Sequence, residues 1–151
     1  MAKTLQELTE NKRILLVGNS VEILQYNLKD KIESYDTVVR FGQGYPRKEN
    51  EDRIGSRTDI WITGYLRQNF ARFFEDSLKL HNRCRIHMDK PAKAGTPKFE
   101  HITMFSDEEI LEINKELGVV ESEPLGWRPS AGFWAILFFV RKCNYKSLTL
   151  I

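Results

Sequence analysis

Arg13-Ile14-Leu15-Leu16-Val17-Gly18-Asn19-Ser20 decides how the rest of the chain is read. Arg13–Val17 carries a short continuous apolar run, as expected of a parallel strand covered on both faces. Gly18-Asn19 is a turn signal. Ser20 suits a helix N-cap. Val21, Leu24 and Leu28 then recur at helical spacing, which predicts a helix over Val21 to Lys31. A strand turning directly into a helix opens an α/β unit.

The same alternation continues outward. Asp36-Thr37-Val38-Val39-Arg40 reads as the next strand. Phe41 to Arg57 is rich in Gly, Pro and charge and reads as a surface loop. Thr58 to Thr63 is a third strand, and Tyr65 to Leu80 a helix with Leu66, Phe70, Phe73 and Phe74 on one side. Arg85 to Met88 reads as a weaker strand and Asp89 to Pro97 as a polar linker. Ser106 starts a helix whose acidic first turn suits its dipole. Glu121 to Arg128 is loop, Ala131 to Arg141 an apolar helix, and Ser147 to Ile151 a final strand. Strands alternating with helices imply an α/β, Rossmann-like domain. Its sheet is mostly parallel, with helices on both faces.

Composition removes several function classes. The 151 residues suit one domain. A net charge of +2, from 23 basic and 21 acidic residues, lacks the concentrated positive charge of a nucleic-acid binder. Two cysteines, Cys84 and Cys143, are too few for a disulfide scaffold. The first residues hold no signal-peptide core. The longest apolar run, Phe133 to Val140, is about half of a membrane span. The closing run Ser147-Leu148-Thr149-Leu150-Ile151 looks like a core strand, which leads us to expect a fold incomplete at the C-terminus.

Two turns have the chemistry to hold an anion. In open parallel sheets, ligands bind beyond the C-terminal ends of the strands. Val17-Gly18-Asn19-Ser20 stands there. Gly18 permits close approach, free N–H groups favour an anion, and the Asn19 amide both donates and accepts. The plain alternative is a tight turn capped by Ser20. Pro129-Ser130-Ala131-Gly132 is the second turn. Gly132 in the first turn of a helix costs about 1 kcal/mol against Ala. That cost fits either a ligand against the backbone or close helix–sheet packing. Neither a Gly-x-Gly-x-x-Gly nor a P-loop pattern is present.

Taken in order, these segments resemble glycosyltransferase family 29, the eukaryotic-type sialyltransferases. The family's large sialylmotif opens on a hydrophobic strand ending in Val-Gly-Asn-Ser, matched by Leu15 to Ser20. Its Ile-Asp-x-x-Asp-x-Val-x-Arg stretch is matched by Ile32 to Arg40, with Glu33 as an acidic exchange. Its closing Val-Gly-x-Lys/Arg-Thr is matched by Ile54 to Thr58. The small sialylmotif, Pro-Ser-Thr-Gly through an apolar helix to Cys, is matched by Pro129 to Gly132 and Cys143. The resemblance implies a sialyltransferase variant of the GT-A-like fold. It further implies a CMP-sialic acid donor, a glycan acceptor, transfer with inversion, and no metal or other cofactor. The donor-binding residues it implies, together with neighbours read from the sequence, are Gly18, Asn19, Ser20, Arg40, Gln43, Ser130, Ala131 and Gly132.

The chain departs from the pattern in four places. Gly42 replaces an Asn that touches the nucleotide in the family, leaving Gln43 beside it as the nearest polar group. Ala131 replaces the Thr of the small motif. Ile14 stands where animal members carry the cysteine that pairs with the Cys143 position, so Cys143 is expected to be a free, buried thiol of a reducing, cytoplasmic setting. The family's catalytic His lies beyond the small motif. His81, His87 and His101 all precede it and match no family position, so no catalytic residue is nominated. The alternative function is therefore a CMP-binding remnant or module of the same fold. Arg40 is read as pairing with a phosphate or, equally, with Asp36 or Asp59. Arg47, Lys48, Arg53 and Arg57 read as a solvated surface or a lid over an anionic donor, and Trp127 as a stacking platform or core.

Overall fold

The computed structural model describes residues 3–42, 46–63, 77–81, 102–119 and 129–151. Its elements are α1 (Leu5–Thr9), β1 (Arg13–Val17), a 3-10 helix (Val21–Gln25), α2 (Lys29–Glu33), β2 (Thr37–Phe41), a second 3-10 turn (Lys48–Asn50) and α3 (Glu51–Ile54). Then come β3 (Ile60–Thr63), β4 (Leu78–His81), β5 (Ile102–Thr103), α4 (Asp107–Glu116), α5 (Ala131–Lys142) and β6 (Ser147–Leu150). The six strands form one sheet in the order β5-β4-β3-β2-β1-β6, and each neighbouring pair is parallel.

Alternation along each strand divides the core in two. Ile14, Leu16, Val39, Phe41, Ile60 and Ile62 face α1, α4 and α5, which contribute Leu8, Ile113, Trp134, Ala135, Phe138 and Phe139. Leu15, Val17 and Val38 face the other way, onto Ile32 of α2 and Ile54 of α3. Helices on both faces of a parallel sheet are what the apolar runs imply. Among the described residues, no helix is long and apolar enough to cross a membrane.

Strands β1, β2, β3 and β6 fall where the sequence places them, as do α4 and α5. Helix α4 opens with a reciprocal capping box between Ser106 and Glu109. It is tied to α5 by Lys142–Glu109 and Arg141–Glu116 pairs, each at 2.8 Å. Cys143 is free and half-buried, at the C-cap of α5 rather than inside the helix.

Three expectations are corrected. The helix expected over Val21 to Lys31 breaks in two. An unbroken α-helix would bond Leu28 N–H to Leu24 C=O. Arg53 takes both groups: its guanidinium donates to Leu24 O at 3.1 Å, and its carbonyl accepts from Leu28 N at 2.7 Å. The expected loop of residues 41–57 contains α3, whose Ile54 is core. The helix expected over Tyr65 to Leu80 does not reach Leu80. Residues 78–81 are β4, with Leu80 fully buried beside Ile62 of β3. The remainder of that expected helix, the strand at Arg85 to Met88, the linker after it and the Glu121 to Arg128 loop lie outside the described residues.

Candidate functional site

The turn after β1 stands at the reversal point of the sheet. Strands β2 to β5 follow one another to one side of β1, and β6 lies on the other. In open α/β sheets this is where a ligand fits, beyond the strand ends. The β1–β6 ladder runs to its end here: Ile151 N–H donates to Leu16 O at 3.1 Å, and Gly18 N–H to Ile151 O at 2.8 Å. A Cβ on Gly18 would lie 3.1 Å from that same oxygen, so β6 holds the turn from one side. Asn19 is exposed, and its side chain has no partner among the described residues.

Ser20 caps as expected, accepting from Glu22 N at 3.2 Å. The helix it caps is a five-residue 3-10 helix, however. So short an element has little dipole to offer an anion. The contribution of this turn rests on backbone and amide groups, not on a macrodipole.

The dipole belongs to the second turn. Ser130 caps the twelve-residue α5, accepting from Phe133 N at 3.2 Å. The N–H groups of Ala131 and Gly132, first in the helix, have no acceptor within it. Helix α5 ends beside the start of β1: Asn11 N donates to Asn144 O, and Lys146 N to Lys12 O. Its first turn is therefore directed toward the opposite end of the sheet, where β1 runs into Gly18. The two sequence blocks thus converge on one end, α5 on one face and the 3-10 helix on the other. Around the ideal Cβ position of Gly132 the nearest described atom is Ser130 Oγ at 3.7 Å. Among the described residues, helix–sheet packing does not demand a glycine there.

Arg40 is placed differently from the expectation. Asp36 pairs with Arg13 at 3.2 Å and Asp59 with Arg57 at 2.8 Å, and neither holds Arg40. Arg40 is fully buried on the α3 side of the sheet. Its Nε donates to Arg57 O at 3.1 Å and its Nη2 to Ile54 O at 2.7 Å. Nη1 is buried with no partner. Burial pushes the guanidinium down to about 10, partly offset by Glu33. Arg40 is therefore buried against the segment leading into β3 and not exposed at the site.

The basic loop also turns inward. Arg53 holds Leu24, and Arg57 reaches Glu33 O and Tyr35 O. The pair Arg47–Glu49, at 3.8 Å, stays exposed. The α3 C-terminus is closed by Gly55 at φ 66° and ψ 171°, a backbone region open essentially to glycine. Sequence reasoning missed Trp61, whose Nε1 donates to Gly42 O at 2.9 Å and so fixes the turn after β2. The signal for it was a large aromatic one strand away from a turn glycine. Gln43, Trp127, His87 and His101 lie outside the described residues. Among the described residues, no group of three His, Cys, Asp or Glu is arranged for a metal ion.

No family model matches the sequence, and no curated protein does. Two solved structures match the fold. One is a mammalian sialyltransferase in complex with Gal-beta-1-3GalNAc-ortho-nitrophenol, at TM-score 0.63 and 19% identity, covering 97% of this chain and 57% of that one. The other is a mammalian sialyltransferase structure at the same TM-score and identity, covering 97% and 56%. The chain therefore has the fold of mammalian sialyltransferases over a little more than half of their length.

Proposed function

We propose that the chain is a sialyltransferase-like glycosyltransferase domain whose part in the reaction is to bind a CMP-sugar donor, CMP-sialic acid. The observation that carries this is the convergence of Gly18-Asn19-Ser20 and the first turn of α5 on one end of the sheet. Both turns offer polar groups without internal partners. In this reading the α5 N-terminus takes the donor phosphate through the Ala131 and Gly132 N–H groups. Asn19 reads the nucleoside through its amide, and Gly18 and Ser20 shape the turn. No metal takes part, so the charge of the leaving nucleotide is met by N–H groups and the helix dipole. The acceptor is a glycan hydroxyl, and the sugar is transferred with inversion. The general base that such a transfer needs is assigned to no residue of this chain.

Calorimetry with CMP, UMP and GDP tests the reading. CMP is expected to bind in preference, and Asn19→Ala to abolish that preference without lowering the melting temperature. No binding of any nucleotide at high protein concentration would sink it. Donor binding without transfer to any glycan acceptor would instead mark the chain as a binding module of the same fold.

A further inference from the structure

Strand β6 is an edge of the sheet, and among the described residues it pairs with β1 alone. The ladder fixes which of its main-chain groups are used. Ile151 N–H donates to Leu16 O and Gly18 N–H to Ile151 O, so Ile151 turns its main chain toward β1. By alternation Thr149 and Ser147 do the same. The N–H and C=O groups of Leu148 and Leu150 therefore point outward from the edge. Natural sheets blunt such an edge with Lys, Pro or a bulge. Ser147-Leu148-Thr149-Leu150 holds neither Lys nor Pro, and its register on β1 is unbroken.

The apolar surface beside this edge is also open. Leu148 packs against the core on the α5 side, and alternation puts Leu150 on the same face, where it is 60% exposed. Phe105, two residues past β5, packs on Trp134 and Phe138, and Glu116 of α4 pairs with Arg141. That flank of α5 looks toward β5. At about 3.6 residues per turn, Ile136 and Val140 lie on the opposite flank, toward β6. They are 36% and 56% exposed. No charged residue stands in α5 from Ala131 to Val140. An edge of free main-chain groups thus runs along an uncharged groove between Leu150 and the Ile136–Val140 flank.

We propose that this edge is a contact between two copies of the chain, joined β6 to β6 in antiparallel fashion about a twofold axis at Thr149. The strand's own alternation selects a second copy as the occupant. Its outward groups belong to Leu148 and Leu150, so Leu148 of one copy exchanges main-chain hydrogen bonds with the partner's Leu150, and the reverse. Both leucine pairs then fall on the α5 face. The two Thr149 side chains meet on the other face, where hydroxyls pair favourably. Charge is compatible, because Lys146 falls outside the paired stretch and the two copies' lysines stand at its opposite ends. A four-residue edge with three part-exposed apolar side chains is smaller than the roughly 800 Å² per partner of a standard stable interface. The dimer is therefore weak and concentration-dependent. This contact is independent of the donor reading.

Sedimentation equilibrium on the full chain is expected to show the mass rising reversibly from monomer toward dimer with protein concentration. Leu150→Pro removes an outward N–H and spares the β1 ladder, and Leu150→Lys sets a charge on the edge. Both variants are expected to stay monomeric where the wild type dimerises. Thr149→Cys tests the register without relying on either. A non-hydrogen-bonded antiparallel pair holds its Cα atoms about 4.5 Å apart, within reach of a disulfide. Mild oxidation is expected to link Thr149→Cys chains into dimers, and to link neither Lys146→Cys nor the wild type, with its Cys84 and Cys143, at a comparable rate. A wild-type chain that stays monomeric at every concentration overturns the inference and leaves the edge to a different polypeptide. Dimers that survive both Leu150 variants, or Thr149→Cys that links no faster than Lys146→Cys, overturn it by placing the contact elsewhere.

Discussion

Gly18 and Ile151 meet backbone to backbone: the Gly18 N–H donates to the Ile151 carbonyl at 2.8 Å, and a Cβ on residue 18 would sit 3.1 Å from that oxygen. The obstacle is main chain already held in the β1–β6 ladder, so it cannot swing aside as a side chain does. Gly18→Ala is expected to cost about 1 kcal/mol or somewhat more through overpacking. It should also weaken CMP, because the turn must shift away from β6. Urea denaturation and calorimetry read the two effects. A variant of wild-type stability would show that β6 yields freely at this point.

Gly55 presents the opposite case. Its Cβ would lie 2.6 Å from Glu33 Oε1, the mobile tip of an exposed side chain. That contact is cheap to relieve. The backbone at φ 66° and ψ 171° is not, because side chains other than hydrogen are strained there. Gly55→Ala is expected to cost about 1–3 kcal/mol, and adding Glu33→Ala should recover little of it. A double mutant restored to wild-type stability would locate the penalty in the side-chain contact.

These glycines also show what can be read from sequence. Arg13–Val17, Thr37–Phe41 and Ser147–Leu150 were legible because buried parallel strands are short unbroken apolar or β-branched runs. Helix α4 was legible because Ser106 announces its start with an acidic first turn. The ends of the motif segments were legible for the same local reasons. What escaped depended on partners far along the chain. Nothing near Leu24 and Leu28 announces that Arg53 will take both groups of their helical bond. Leu78 and Leu80 continue an apolar helical stripe until they are paired with β3. Arg40 reads as pairing with a phosphate or, equally, with a carboxylate, whereas its partners are carbonyls, which leave no mark on residue type. Gly132 was ambiguous between packing and ligand approach. The open space around it among the described residues resolves the first of these readings.

Acid should loosen the packing of α4 on α5 and the start of the β1–β2 pair. Asp36 is held below the usual carboxylate range by the Arg13 side chain and backbone N–H. Glu109 is held low by Lys142 and the Ser106 N–H. A carboxylate with a lowered folded-state pKa contributes stability that is present above its unfolded value, near 4, and is lost as pH falls through the lower folded value. The melting temperature is therefore expected to fall as pH drops below about 4. Asp36→Asn should start lower at pH 7 and fall less over that window. Parallel wild-type and Asp36→Asn curves would remove the Arg13–Asp36 pair from the account. Both groups are exposed, so 0.5 M salt should shrink the effect.

Gly132→Ala is expected to separate stability from binding. Ser130 Oγ, at 3.7 Å, is the nearest described atom to the new methyl, an ordinary contact. Removing a glycine from the first turn of α5 should then stabilise the helix by up to about 1 kcal/mol. If the glycine is present so that a phosphate can approach the Ala131 and Gly132 N–H groups, the same methyl stands in the ligand's path. CMP affinity should fall while the melting temperature rises. A purely structural glycine gives the reverse association, since any loss of binding would then follow a loss of stability. A more stable variant with unchanged CMP affinity would remove Gly132 from the donor site and leave Ser130 and Ala131 as its α5 contribution. Ser130→Ala provides the control on the same turn. It removes the cap bond to Phe133 N and is expected to lower stability by about 1 kcal/mol. A rise in melting temperature with a loss of CMP affinity in Gly132→Ala, beside a fall in both in Ser130→Ala, would place the donor's charge at this helix start.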